Sequence, residues 1–118
     1  MRLLIVDDSN IIRRSIQREI GEGNHEIRTA CDGVEALRVF DDFNPDIVTM
    51  DITMPNMDGL SCVEHILQKN ANTRILVISA LADKGTAVEA VKRGAQGFLL
   101  KPFTSETLAT EITELFVD

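Results

Sequence analysis

The chain has 118 residues, the size of one globular domain. Its 44% hydrophobic and 26% charged residues suit a packed core rather than a disordered chain. Nineteen acidic against twelve basic residues leave a net charge of −7, and five Phe are the only aromatics. That excludes a basic face for duplex phosphates and a stacking platform for single strands, so no nucleic acid is expected as partner.

Apolar runs such as Leu3-Leu4-Ile5-Val6 fall far short of the roughly 20 residues that cross a bilayer. No charged segment precedes a long apolar one, so a cytoplasmic location with no membrane partner is expected. Cys31 and Cys62 sit in no CxxC pair and read as isolated thiols rather than a zinc site or a disulfide framework.

Short β-branched runs alternate with helical periods along the whole chain. The first strand is Leu3-Leu4-Ile5-Val6. A helix capped by Ser9-Asn10 follows, with Ile12, Ile16 and Ile20 on one face and Gly21 and Gly23 at its end. A weaker strand over residues 27–30 leads through Asp32-Gly33 to a helix with Val34, Leu37 and Phe40 inward, closed by Asn44-Pro45. The third strand is Ile47-Val48-Thr49-Met50. A long loop over residues 51–59 contains Pro55 and ends in Asp58-Gly59, before a helix marked by Leu60, Val63 and Leu67. A fourth strand at residues 75–78 precedes a helix with Val88 and Val91 inward and Gly94 at its end. The fifth strand lies at residues 98–100, and the last helix starts near Ser105 with Leu108, Ile112 and Leu115 on one side. This pattern predicts an α/β fold, a doubly wound five-stranded parallel sheet of (βα)5 type, filling residues 1–118 as a single domain.

Ligands of such sheets bind at the carboxyl ends of the strands. Asp7 and Asp8 follow the first strand, Asp51 the third, Ser79 the fourth and Lys101 the fifth. Taken singly, an Asp after a strand is usually a turn or cap residue and a lysine a surface charge. Their placement on one sheet edge changes the reading. Three crowded carboxylates repel one another unless a cation intervenes, and an oxygen-only donor set favours Mg2+ over Zn2+. Mg2+ keeps waters and takes phosphate oxygens, Lys101 and Ser79 offer a charge and a hydroxyl to a phosphoryl group, and Asp51 is a candidate nucleophile.

The segments Ile5-Val6-Asp7-Asp8, Asp51-Ile52-Thr53-Met54-Pro55 with Asp58-Gly59, Ser79-Ala80 and Lys101-Pro102-Phe103 resemble the receiver domain of two-component response regulators. Within that family the chain is most similar to the stand-alone chemotaxis regulators. The resemblance implies a flavodoxin-like sheet with strand order 2-1-3-4-5. It implies Asp51 as phospho-acceptor and Asp8 and Asp51 as direct Mg2+ ligands. Asp7 would reach the ion largely through water, and Thr53 would offer its backbone carbonyl. Ser79 and Lys101 would bind the phosphoryl group, Ser79 and Phe98 would form the output switch, and Pro102 would be a cis-proline that aims the lysine. A histidine kinase is then the phosphoryl donor, and a downstream protein docks at the fourth helix, fifth strand and fifth helix, around residues 92–98 and 104–111. The chain is expected to be a monomer and no enzyme beyond its own phosphorylation and dephosphorylation. Two departures stand out: Ser79 where Thr is commoner, and Phe98 where the chemotaxis proteins usually have Tyr.

A phosphatase of the haloacid-dehalogenase type also phosphorylates an Asp after a strand, but its second Asp, two residues on, is here Thr53. A flavodoxin would set Asp7-Asp8 against an anionic flavin phosphate. A pseudo-receiver usually lacks some of the acidic set, which is complete here. The receiver part of a longer regulator is the remaining alternative.

Overall fold

A computed structural model describes residues 1–20, 25–52, 54, 56–80 and 84–115, with Lys84 described by its backbone alone. Gly21, Gly23, Thr53 and Pro55 lie outside the described residues. The elements run β1 (Arg2–Val6), α1 (Asn10–Ile20), β2 (Glu26–Ala30), α2 (Gly33–Phe43), β3 (Ile47–Met50), α3 (Gly59–Lys69), β4 (Arg74–Ser79), α4 (Lys84–Lys92), β5 (Gly97–Leu100) and α5 (Ser105–Glu114). All strand pairs are parallel, and the sheet order is β2-β1-β3-β4-β5. This is the order that the resemblance implies, with the switch point between β1 and β3.

The central strands are almost wholly apolar because both faces are covered. On one face Leu4, Val6, Val48, Met50, Ile75 and Val77 meet Phe40 of α2 and Cys62, Val63 and Ile66 of α3. On the other, Leu3, Ile5, Ile47, Leu76, Ile78 and Leu99 meet Ile16 of α1 and Leu108 of α5. Along each strand, successive positions go to opposite layers, as a period of two requires. The helices start where polar side chains cap them: Asp32 accepts from Glu35 N–H, Asp58 from Ser61 N–H and Thr104 from Thr107 N–H.

Three valines expected inward lie outside, whereas on α2 Phe40 is buried and Leu37 packs against the core as expected. On α4, Val88 and Val91 are 51% and 58% exposed, and the helix packs through Ala90 instead. On α2, Val34 is 46% exposed, while Ala36, Phe40 and Phe43 are buried. On α4 hydrophobicity ranks valine above alanine, but a helix that lies close to the sheet takes the small residue at the contact. Ser79 is the last residue of β4 rather than the first after it.

Thr49, in the middle of β3, is 1% exposed, and its hydroxyl has no hydrogen-bond partner among the described residues. A buried unpaired hydroxyl costs about 1–3 kcal/mol, and an apolar group of the same shape removes that cost. Thr49→Val is therefore expected to stabilise the fold by about 1 kcal/mol, read as a higher urea midpoint with an unchanged m-value.

Candidate functional site: a carboxylate cluster at the strand ends

β1 ends at Val6, and every polar group of the next residue is then held. Asp7 N–H donates to Ala30 O at 3.1 Å, its Oδ1 accepts from Ser9 N–H at 2.9 Å, and its Oδ2 accepts from Lys101 Nζ at 2.7 Å. Its carbonyl accepts from Arg13 at 2.7 Å. Asp7 is 1% exposed, so this complete pairing is what allows a carboxylate there. Asp8 is exposed, and its carboxylate makes no hydrogen bond among the described residues.

Asp51 leaves β3 with its N–H on Val6 O at 2.9 Å, which ties the ends of the two central strands together. The loop after it closes with Gly59 N–H donating to Ile52 O at 2.8 Å. Gly59 has to be glycine: a Cβ there would collide with Asp51 O and lie 2.7 Å from Ile52 Cα. The first turn of α3 is thereby pressed onto the backbone that carries the Asp51 side chain.

Lys101 arrives from the end of β5, its N–H on Ser79 O at 2.8 Å, and the Lys101–Pro102 peptide bond is cis. Its ammonium reaches Asp7 Oδ2 and, at 3.4 Å, Asp51 Oδ1. Ser79 is buried at the end of β4, in register with Leu100. Phe98 lies opposite Val77 on the edge strand, half-buried against the α2–α3 layer of the core.

The carboxylate oxygens of Asp7, Asp8 and Asp51 lie within 4.8 Å of one another. Burial, reinforced by the charge of Asp7, pushes the Asp51 carboxyl up to about 6, against the pull of Lys101. Three carboxylates against one lysine leave the cluster short of positive charge. The donors are all oxygen, and Asp8 opens the cluster to solvent. Octahedral Mg2+, with ligands at about 2.1 Å, spans at most about 4.2 Å between ligand oxygens, so this donor set fits it with a small contraction or an intervening water.

Asp7, Asp8, Asp51 and Lys101 are thus brought together, and Ser79 sits beside them through the Lys101 backbone. Thr53 lies outside the described residues. Sequence reasoning missed Arg13. The signal was present, because Arg13 precedes Ile16 and Ile20 by three and seven residues and so sits on the stripe that faces the sheet.

The model of the response regulator receiver domain matches residues 3–113. The chemotaxis protein CheY of Listeria monocytogenes is 39% identical over 107 residues, covering 90% of each chain. The regulatory protein AtoC of Escherichia coli is 37% identical over 91% of this chain, but that match spans 23% of AtoC. Among solved structures, the CheX–CheY complex of Borrelia burgdorferi with BeF3 and Mg2+ has a TM-score of 0.95, with 34% identity over 100% of this chain and 90% of that one. On sequence and on fold alike, the chain belongs to the response regulator receiver domain family.

Proposed function

We propose that the chain is a phospho-acceptor signalling protein, taking a phosphoryl group onto Asp51 in a Mg2+-dependent reaction. The observation that carries this is the convergence of Asp7, Asp8, Asp51 and Lys101 at one sheet edge. With its carboxyl near 6 in the metal-free site, Asp51 is mostly ionised at pH 7 and can act as nucleophile. Asp8 has free oxygens for direct ligation, whereas both oxygens of Asp7 are already engaged, which suits a role through water. Bound Mg2+ would neutralise the carboxylates and the incoming phosphoryl oxygens.

The donor is a histidine kinase. As the Asp51 Oδ–P bond forms, the P–N bond to the donor histidine breaks and the electron pair returns to the imidazole. Lys101 is placed to turn from Asp7 toward the phosphoryl oxygens, and Ser79 to donate its hydroxyl. A Ser79 that turns toward the phosphoryl group leaves space that Phe98 fills, which reshapes the face of α4, β5 and α5 where a downstream protein docks. The similarity to chemotaxis proteins favours chemotaxis as the pathway. A receiver within a longer regulator is the second reading, favoured by the AtoC match.

Intact-mass measurement after incubation with acetyl phosphate tests this. One phosphoryl mass is expected with Mg2+, and none with EDTA or in Asp51→Asn. Equal phosphorylation of Asp51→Asn would overturn the assignment.

A further inference from the structure

We infer that Arg13 is a positioning residue for the Asp7–Asp8 pair, and that it supports cation binding despite carrying a positive charge itself. The inference rests on the Mg2+ reading above. The ladder of β1 ends at Asp7, where the N–H bonds Ala30 O and the carbonyl has no strand partner among the described residues. From the second turn of α1, the half-buried Arg13 reaches back to that carbonyl at 2.7 Å, while its other terminal nitrogen lies 3.3 Å from Asn10 Oδ1. The helix itself is held to the same turn, with Ile12 N–H on Ser9 Oγ and Arg13 N–H on Ser9 O.

The carbonyl of Asp7 and the N–H of Asp8 share one rigid peptide plane. Fixing the carbonyl therefore fixes the N–Cα bond of Asp8 and leaves its φ as the one backbone rotation that sets where the side chain points. Asp8 has no side-chain bond of its own among the described residues to do this. The neighbouring Arg14 is exposed and makes no such contact, so the two adjacent arginines differ in role.

Charge and positioning predict opposite signs. As a nearby charge alone, Arg13 repels a cation, and its loss tightens Mg2+ binding. As a positioning group, its loss frees the peptide plane and weakens binding, by about tenfold if it acts like other outer-shell partners of metal ligands. The experiment titrates Mg2+ into wild type, Arg13→Met and Arg13→Lys by calorimetry, and follows amide hydrogen exchange in the metal-free proteins.

The expected result is about tenfold weaker binding for Arg13→Met and an intermediate affinity for Arg13→Lys. Exchange should speed up at Asp8 and Ser9 but not at the core amide of Val48. Unchanged or tighter binding in Arg13→Met overturns the proposal, as does weaker binding with exchange raised equally at Val48, which is general loosening of the fold. Wild type that binds no Mg2+ would instead overturn the reading of the site itself.

Discussion

Lys101→Met is expected to lower the stability of the metal-free protein by about 3 kcal/mol at pH 7, the scale for removing one partner of a buried ion pair. The ammonium is the cation that touches Asp7 Oδ2 and Asp51 Oδ1, and Asp7 is 1% exposed. Without it, two buried carboxylates face each other uncompensated. The same substitution removes a cation that competes for the cluster, so Mg2+ should bind Lys101→Met more tightly than wild type. Chemical denaturation with and without Mg2+ reads both effects. A variant as stable as wild type in EDTA would show that the lysine does not neutralise the pocket.

Asp51→Asn should move stability the other way. Its folded carboxyl is raised to about 6, above the ordinary value of 3.8, so folding disfavours the charged form. Below about pH 3 the group is protonated in both states and contributes nothing. The penalty grows as pH rises through the interval from 3.8 to 6 and is constant above it. The net shift of about two units, which already includes the attraction to Lys101, corresponds to about 3 kcal/mol at most. Metal-free Asp51→Asn is therefore expected to exceed wild type by up to about 3 kcal/mol at pH 7 and to match it near pH 3. Saturating Mg2+ should close the gap at neutral pH by stabilising wild type alone. A difference independent of pH would rule out the carboxylate as its source.

The strands and the site edge were legible because their signals are local. Strands of four or five residues stop at Asp7, Asp51 and Lys101, and parallel topology then brings those stops together. What a side chain packs against was less legible. Valine and alanine compete for the inner face of α4, and the sequence does not say how closely that helix approaches the sheet. The sheet decided for Ala90, leaving Val88 and Val91 outside. The spacing of Arg13 on α1 signals that it faces inward, but its partner is a backbone carbonyl, which no residue type announces. The competition of Lys101 for Asp7 was equally hidden, since adjacency at a sheet edge does not specify which oxygen an ammonium takes.

The central claim is that the phosphoryl group sits on one particular carboxylate. Borohydride reduces an aspartyl phosphate to homoserine, so treating the acetyl phosphate reaction with borohydride and sequencing the peptides by mass spectrometry locates the modified residue directly. Homoserine at position 51, formed with Mg2+ and absent with EDTA, is the predicted result. Homoserine at position 7 or 8, or the same yield at position 51 without the metal, would contradict the account.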